Sequence, residues 1–453
     1  MQTQSIQLSY SSLNKRKSHK GLFVGITIII VLVLILVAMI ALLVVDNKRK
    51  DNHKYGVVFE AKRSMTIAHV YRWNKKHKNI NGLDFHEVEY LSDPTKQVNR
   101  SVNKPISMLI GNESSVENYF KPLIEAAENF VPYGSRGSTL IYVRLLSESG
   151  VVNGTHDKLI DNIEDAISNS GFKTDKRCVK CVSKEEQHAC VWLAMNYLRG
   201  VVYKDEEKEN SCGKYGAFSL TNYSNTVIFN PKKGEAIKKY NHSITLGKEK
   251  YNIYDYSSTK YGKVDAFKRV INLAINDSQN RDENGTVLFP CYMRDYNTTL
   301  HNGEVFIKGT GDTEKCIEYI SKDLNTSATC ELEGPCFIDG VYMPSISEGY
   351  ERFYALDDFY TTANFLSVTT GVPTKLESLY KNTAVYCNIS FTHYTKELGL
   401  TGEQMARYCF WGAYTYSVLN AYGTKDGSII FASNVEGVSF NYPYGAMLTE
   451  INI

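Results

Sequence analysis

The chain has 453 residues, enough for more than one folded lobe, and its formal charge of +2 is unevenly placed. Lys15, Arg16, Lys17 and Lys20 lie in a first segment without an acid, and Lys48, Arg49 and Lys50 less Asp46 add two more positive charges, so residues 51–453 carry −4. A mildly acidic domain gives no support to nucleic-acid binding, which shows a basic face.

Residues 1–20 read as a short tail. Gly21 to Val45 follows, 25 residues without a charge. At about 1.5 Å per residue, a helix of that length crosses a bilayer with some tilt. It is longer than the apolar core of a cleaved signal peptide, so an uncleaved anchor is expected. Basic residues flank both ends, so the distal sequence has to orient it. Ten Asn-x-Ser/Thr sequons lie beyond the span, at Asn99, Asn112, Asn153, Asn222, Asn241, Asn276, Asn284, Asn297, Asn325 and Asn388, and so do all ten cysteines. Both point to an oxidising, glycosylating compartment. The expectation is a type II protein of the plasma membrane or a secretory-pathway membrane, its bulk extracellular or lumenal, with a stalk at 46–53.

The folded part opens on Lys54 to Trp73. Tyr55–Phe59 and Ile67–Trp73 are β-branched and aromatic, hence strands, with Glu60-Ala61-Lys62-Arg63-Ser64 where the chain reverses. A turn of this kind cradles an anion on its backbone N–H groups or is simply a solvated hairpin. Val116 to Phe130 has helical spacing with Tyr119, Leu123, Ala126 and Phe130 on one face, and Thr139 to Leu145 is strand-like. Leu159 to Ile167 reads as a helix. Cys178-Val179-Lys180-Cys181 lacks a second pair at zinc spacing, which favours structural disulfides among Cys178, Cys181, Cys190 and Cys212 without fixing the pairing. Tyr215 to Phe229 reads as two more strands about a turn. Val264–Ile275, Glu351–Phe365 and Tyr408–Tyr422 read as helices, the last two rich in aromatics that are more often core than ligand. Tyr354 and Tyr414 are therefore not expected to touch a ligand.

Five stretches resemble the motifs of the ecto-apyrases, the ecto-nucleoside triphosphate diphosphohydrolases. In the first, Tyr55, Gly56, Ala61, Ser64, Thr66, Tyr71 and Trp73 fit the family frame, while its acid is the longer Glu60 and its Gly and first Ser are Lys62 and Arg63. In the second, Pro132 and Tyr142 fit, and a small-residue turn has become Leu145 to Gly150, with Leu146 and Gly150 at the family's Thr and Arg and with Glu148 between them. In the third, Ala189, Trp192, Asn196, Tyr197, Leu198 and Gly200 fit, and Gln187 stands where the family has its general base, one residue after Glu186. In the fourth, Gly216, Ala217, Leu220, Ser224, Val227 and Phe229 fit; Ser219 replaces an acid that holds the metal-bound water, Thr221 and Asn222 replace two glycines, and Thr226 stands at the Gln. In the fifth, Gly437, Gly445, Met447 and Leu448 fit around Ser439, Phe440, Asn441 and Tyr442, where the family has Asp-Ala-Gly-Trp.

The resemblance implies an α/β fold of two actin-like, ribonuclease H-like lobes, each with a five-stranded mixed sheet, after the single N-terminal transmembrane helix. It places residues 54–181 with 425–453 in lobe I and 182–424 in lobe II. It implies disulfides Cys291–Cys316, Cys330–Cys336 and Cys387–Cys409, and phosphate-binding positions at Lys62, Arg63, Ser64, Thr221, Asn222 and Ser224. Intact frames around altered centres imply an inactive relative, degenerate at Gln187, Ser219 and Glu60. Such a protein works by binding an unidentified protein partner, a residual nucleotide or an anion, with no cofactor expected. The competing expectation is an active nucleoside tri- and diphosphatase using Ca²⁺ or Mg²⁺, with Glu60 and Glu186 as substitute acids. A purely structural or adhesion role is a third.

Overall fold

The computed structural model describes residues 24–26, 28–37, 52–75, 85–87, 100–202, 214–232, 238–300, 303–346, 352–393, 402–424 and 426–451. Of the expected span, 24–26 and 28–37 are helical with exposed apolar side chains. Among the described residues no helix is long and apolar enough to cross a membrane; the remainder of that expectation lies outside them.

The first sheet holds β1 (His53–Ala61), β2 (Thr66–Asn74), β3 (His86–Glu87), β4 (Ser101–Val102), β5 (Leu140–Leu146) and β6 (Val179–Val182). Its order is β3-β2-β1-β5-β6, with β4 on β2. The second holds β7 (Gly216–Leu220), β8 (Asn225–Phe229), β9 (Asn241–Leu246), β10 (Glu249–Ser258), β14 (Phe353–Asp357), β15 (Pro373–Thr374) and β16 (Ile429–Phe431), in the order β15-β16-β14-β7-β8-β10-β9. A small sheet of β11 (Val287–Phe289), β12 (Asn297–Leu300) and β13 (Val305–Gly309) lies beside it in sequence.

The two large sheets share one path. A first strand pairs antiparallel with a second, the second with a third, and on its other side the first pairs parallel with a fourth and the fourth with a fifth. The expected five strands describe this shared core; the whole sheets have six and seven.

Helices α1 (Val116–Phe130) and α2 (Asp157–Ser168) cover one face of the first sheet. Tyr119, Leu123 and Ala126 of α1 are buried there, as their spacing requires, and Phe130 is half-buried. The other face packs on α3 (Lys184–Leu198) and α9 (Tyr442–Glu450), which also touch the second sheet. Beyond the second sheet lie α4 (Lys263–Asn276), α5 (Thr313–Leu324), α6 (Asp358–Phe365), α7 (Leu376–Asn388) and α8 (Glu403–Ala421). Strand alternation drives this layering. Val57, Phe59 and Ala61 point to α1 and α2, and Val58 to the shared layer; Phe353 and Ala355 point outward, and Tyr354 and Leu356 to the shared layer. Gly445 lets α9 approach α3 closely, since a Cβ there would lie 1.9 Å from the Cys190 carbonyl oxygen.

Three expectations are corrected. Glu351–Phe365 is not one helix: among its described residues, Phe353–Asp357 is the central strand β14 and only Asp358–Phe365 is helical. Its aromatics suit either element, and pairing with β7 and β16 decides for the strand. Residues 425–453 do not all return to the first lobe, because β16 pairs with β14 and β15 in the second sheet, while α9 packs on β1. Cys178, Cys181 and Cys190 are free thiols rather than disulfides. Cys178 lies among the apolar side chains under α2, and Cys190 is enclosed in the shared layer. Cys212 lies outside the described residues. The bridges Cys291–Cys316, Cys330–Cys336 and Cys387–Cys409 are formed, the last joining α7 to α8.

Candidate functional site

The β1–β2 turn and the β7–β8 turn meet at the junction of the lobes. Lys62 N donates to Met65 O at 2.8 Å and closes the first turn, leaving Arg63 and Ser64 exposed at its tip. The Arg63 guanidinium lies 5.4 Å from the centre of the Tyr223 ring on the second turn.

Glu60 is still in β1, on the face of Val58, and is buried. Its carboxylate is 3.0 Å from Lys62 Nζ and 3.4 Å from His69 Nε2. His69 also contacts Glu87 through Nδ1 at 2.8 Å, and Arg100 approaches Glu87 at 3.6 Å. Burial alone would push the Glu60 carboxyl up, but the adjacent His69 imidazole and the Lys62 charge hold it below its ordinary value. Burial would likewise depress His69, and the two carboxylates outweigh it and raise the imidazole. Glu60 thus faces an ammonium and an imidazole.

The second turn satisfies its own backbone. Thr221 N donates to Ser224 O, and Thr221 Oγ1 accepts from Tyr223 N at 3.2 Å and Ser224 N at 3.0 Å. An anion cradled by this turn would have to compete with that hydroxyl for the same N–H groups. Gly262 lets α4 abut the turn, since a Cβ there would be 2.4 Å from the Tyr223 carbonyl carbon. Asn222 is exposed at the rim and Thr226 is buried against Ser257.

Ser219 Oγ donates to the carboxylate of Asp357 at the end of β14. Asp357 has φ 54° and ψ −122°, a conformation costly for a residue with a side chain. Regular alternation would aim it to the outer face; the backbone break returns it to Ser219. It reaches solvent but protein surrounds it on most sides, and this desolvation raises its carboxyl, against the Ser219 hydrogen bond. The charges of His188 and Lys62 also act on it, so residues from both lobes converge.

At the start of α3, Ser183 Oγ accepts from Glu186 N and caps the helix. Glu186 is paired with Lys180 at 2.7 Å. Gln187 donates from Nε2 to Ser147 Oγ at 3.4 Å, just past the end of β5. Leu145 and Leu146 are buried within β5, Glu148 is half-buried, and the chain turns at Gly150 with φ 80°. His188 donates from Nδ1 to Asp255, 2.9 and 3.1 Å from its two oxygens.

A model of the GDA1/CD39 (nucleoside phosphatase) family matches residues 46–453. The chain belongs to that family. This GDA1/CD39 member is 24% identical to ectonucleoside triphosphate diphosphohydrolase 1 of Bos taurus, covering 92% of this chain and 84% of that protein. It is 25% identical to ectonucleoside triphosphate diphosphohydrolase 3 of Homo sapiens, covering 88% and 78%. Among solved structures it resembles a nucleoside triphosphate hydrolase from Neospora caninum with a TM-score of 0.57 at 14% identity, over 96% of this chain and 97% of that one. That likeness is one of fold, the mixed α/β, lobed arrangement described above.

At this GDA1/CD39 junction the carboxylate and hydroxyl oxygens of Glu60 and Ser219 already have partners. Hard divalent cations want several oxygen donors. Glu60 already faces an ammonium and an imidazole, and Ser219 donates its hydrogen. Among the described residues no three His, Cys, Asp or Glu side chains group as metal ligands.

Sequence reasoning missed Asp357, the His69–Glu87 pair and the His188–Asp255 pair. The acid doublet Asp357-Asp358 ending an aromatic run was the available signal for the first. The pairs join distant segments and leave none. Nine of the ten sequon asparagines are exposed, and Asn99 lies outside the described residues.

Proposed function

We propose that this chain is a catalytically impaired ecto-apyrase-like membrane glycoprotein that acts by binding. Residues 1–20 are cytoplasmic, 21–45 span the membrane, 46–53 form a stalk, and the outer part carries glycans on the exposed sequons. Lobe I comprises residues 54–181 with the terminal helix α9, and lobe II runs from 182 through β16. The observation that carries the reading is Gln187. A carboxamide does not take up a proton at neutral pH, so the position that activates water in the family holds no base. Its amide donates to Ser147, and Glu186 beside it is paired with Lys180. Ser219 and the self-satisfied turn at Thr221 and Ser224 support the same conclusion.

One observation favours the second reading, an active nucleoside tri- and diphosphatase. Asp357 brings a carboxylate to Ser219, where the family's acid is missing. Thermal unfolding of the outer part with ADP or UDP, with Ca²⁺ or with chelator, separates the readings. Stabilisation that survives chelator supports metal-independent binding. Stabilisation that appears only with Ca²⁺ and decays as the nucleotide is consumed supports the enzyme.

A further inference from the structure

We propose that lobe I carries a separate site for a single acyl chain with an anionic head, in the cavity where β1, β5 and α9 meet. The cavity measures about 290 Å³, near the lower end of small-molecule sites at ~300 Å³. Tyr55, Trp73, Leu140, Tyr142, Met447 and Ile451 are the large apolar and aromatic side chains of its wall.

The polar groups of the wall already have partners. Glu450 is held by Arg144 at 3.1 Å and Arg177 at 3.7 Å. The hydroxyls of Ser138 and Thr139 each donate to the Ser135 carbonyl at 2.9 Å. Lys54 is different: it lines the cavity, is exposed, and among the described residues makes no ion pair. Lys75 lines the same cavity. An apolar interior with the Lys54 ammonium at its rim fits a carboxylate or phosphate on a short hydrocarbon, whose head stays in water while its chain leaves it.

The cavity is distinct from the junction of the lobes. It lies at the His53 end of β1, and the Lys62 turn follows the other end, roughly 26 Å away for a nine-residue strand. The site rests on the membrane-spanning reading only for the source of its ligand, a bilayer lipid or a free fatty acid.

The test uses the full-length chain in cells and a photoactivatable medium-chain fatty acid, offered free on albumin or esterified in a phospholipid. Crosslinks are expected on peptides containing Trp73, Leu140 and Met447. Leu140→Trp, which fills the cavity, should lower them about tenfold. Lys54→Glu, an exposed change, should lower labelling by the acid but not by the matching alcohol. Labelling from the phospholipid names the bilayer as source, and labelling from the free acid alone names the soluble pool. Crosslinks confined to residues 21–45 would leave the span standing and overturn the site. So would lobe labelling that neither variant changes while both keep the three disulfides, whatever the nucleotide experiments give.

Discussion

Arg63 and Tyr223 face each other across the two lobes, with the guanidinium carbon 5.4 Å from the ring centre. Each lies on a turn that occupies a phosphate-binding position by family resemblance, so a cation and an aromatic ring close the place where such a ligand would enter. Both side chains are exposed, which sets the coupling at about 0.5–1 kcal/mol. A double-mutant cycle of Arg63→Ala and Tyr223→Ala, read by denaturant unfolding, should give that coupling. Strictly additive variants would mean that the lobes do not meet there in solution.

The Glu60–His69–Glu87 network makes stability depend on pH, with a definite sign. His69 binds its proton more tightly in the folded chain than in the unfolded one. That stabilisation is fully present below about pH 6.5, the ordinary histidine value, and fades as pH rises through the raised folded value. Glu60 acts in the opposite window: its contribution is present above the ordinary glutamate value of about 4.3 and fades as pH falls through its lowered folded value. Unfolding midpoints should therefore fall as pH rises from about 6.5 in the native chain and fall less in His69→Gln. An equal fall in both would exclude His69 as the cause.

Much of the site was legible because it lies in hairpins. Tyr55–Phe59 and Ile67–Trp73 are β-branched and aromatic as strands favour, the frames around Gln187 and Ser219 follow a strand-to-helix step and a second hairpin, and the structure has each. Position 357 was not legible. Phe353, Tyr354, Ala355 and Leu356 look alike as a helix face or a doubly buried strand, and only pairing with β7 and β16 tells them apart. The role of Asp357 was hidden with the strand, because it depends on a backbone break that no local pattern announces. Cys178 and Cys181 were read as disulfide candidates from the redox compartment, and in the fold Cys178 is buried among apolar side chains and Cys181 half-buried, each a free thiol.

Peptide mapping without reductant should return Cys291–Cys316, Cys330–Cys336 and Cys387–Cys409. Such bridges contribute about 2–4 kcal/mol each. Cys178, Cys181 and Cys190 should alkylate as thiols after unfolding, and Cys190, whose enclosure raises its thiol well above the ordinary range, should resist alkylation in the folded chain. A bridge between Cys178 and Cys181 would contradict the arrangement of β6.

Protease applied to intact cells should remove the bulk of the chain, and glycosidase should shift its mobility. A carboxy-terminal tag reached only after permeabilisation, on a chain without glycans, would reverse the orientation. Exposure of the nine described sequons makes glycan attachment sterically open.

Phosphate release tests catalytic impairment most directly. The purified outer part, given ATP, ADP, UTP or UDP with Ca²⁺ or Mg²⁺, should release no more phosphate than a mock preparation. Loss of a general base alone costs about 10²–10⁴-fold, and loss of the phosphate-holding turns removes the alignment that in-line attack needs. Gln187→Glu should leave the chain inactive, because Ser219, Thr221 and Asn222 lie in a separate motif. Metal-dependent release above the mock level, abolished by Glu60→Ala, Glu186→Gln or Asp357→Asn, would contradict the binding role and establish an enzyme.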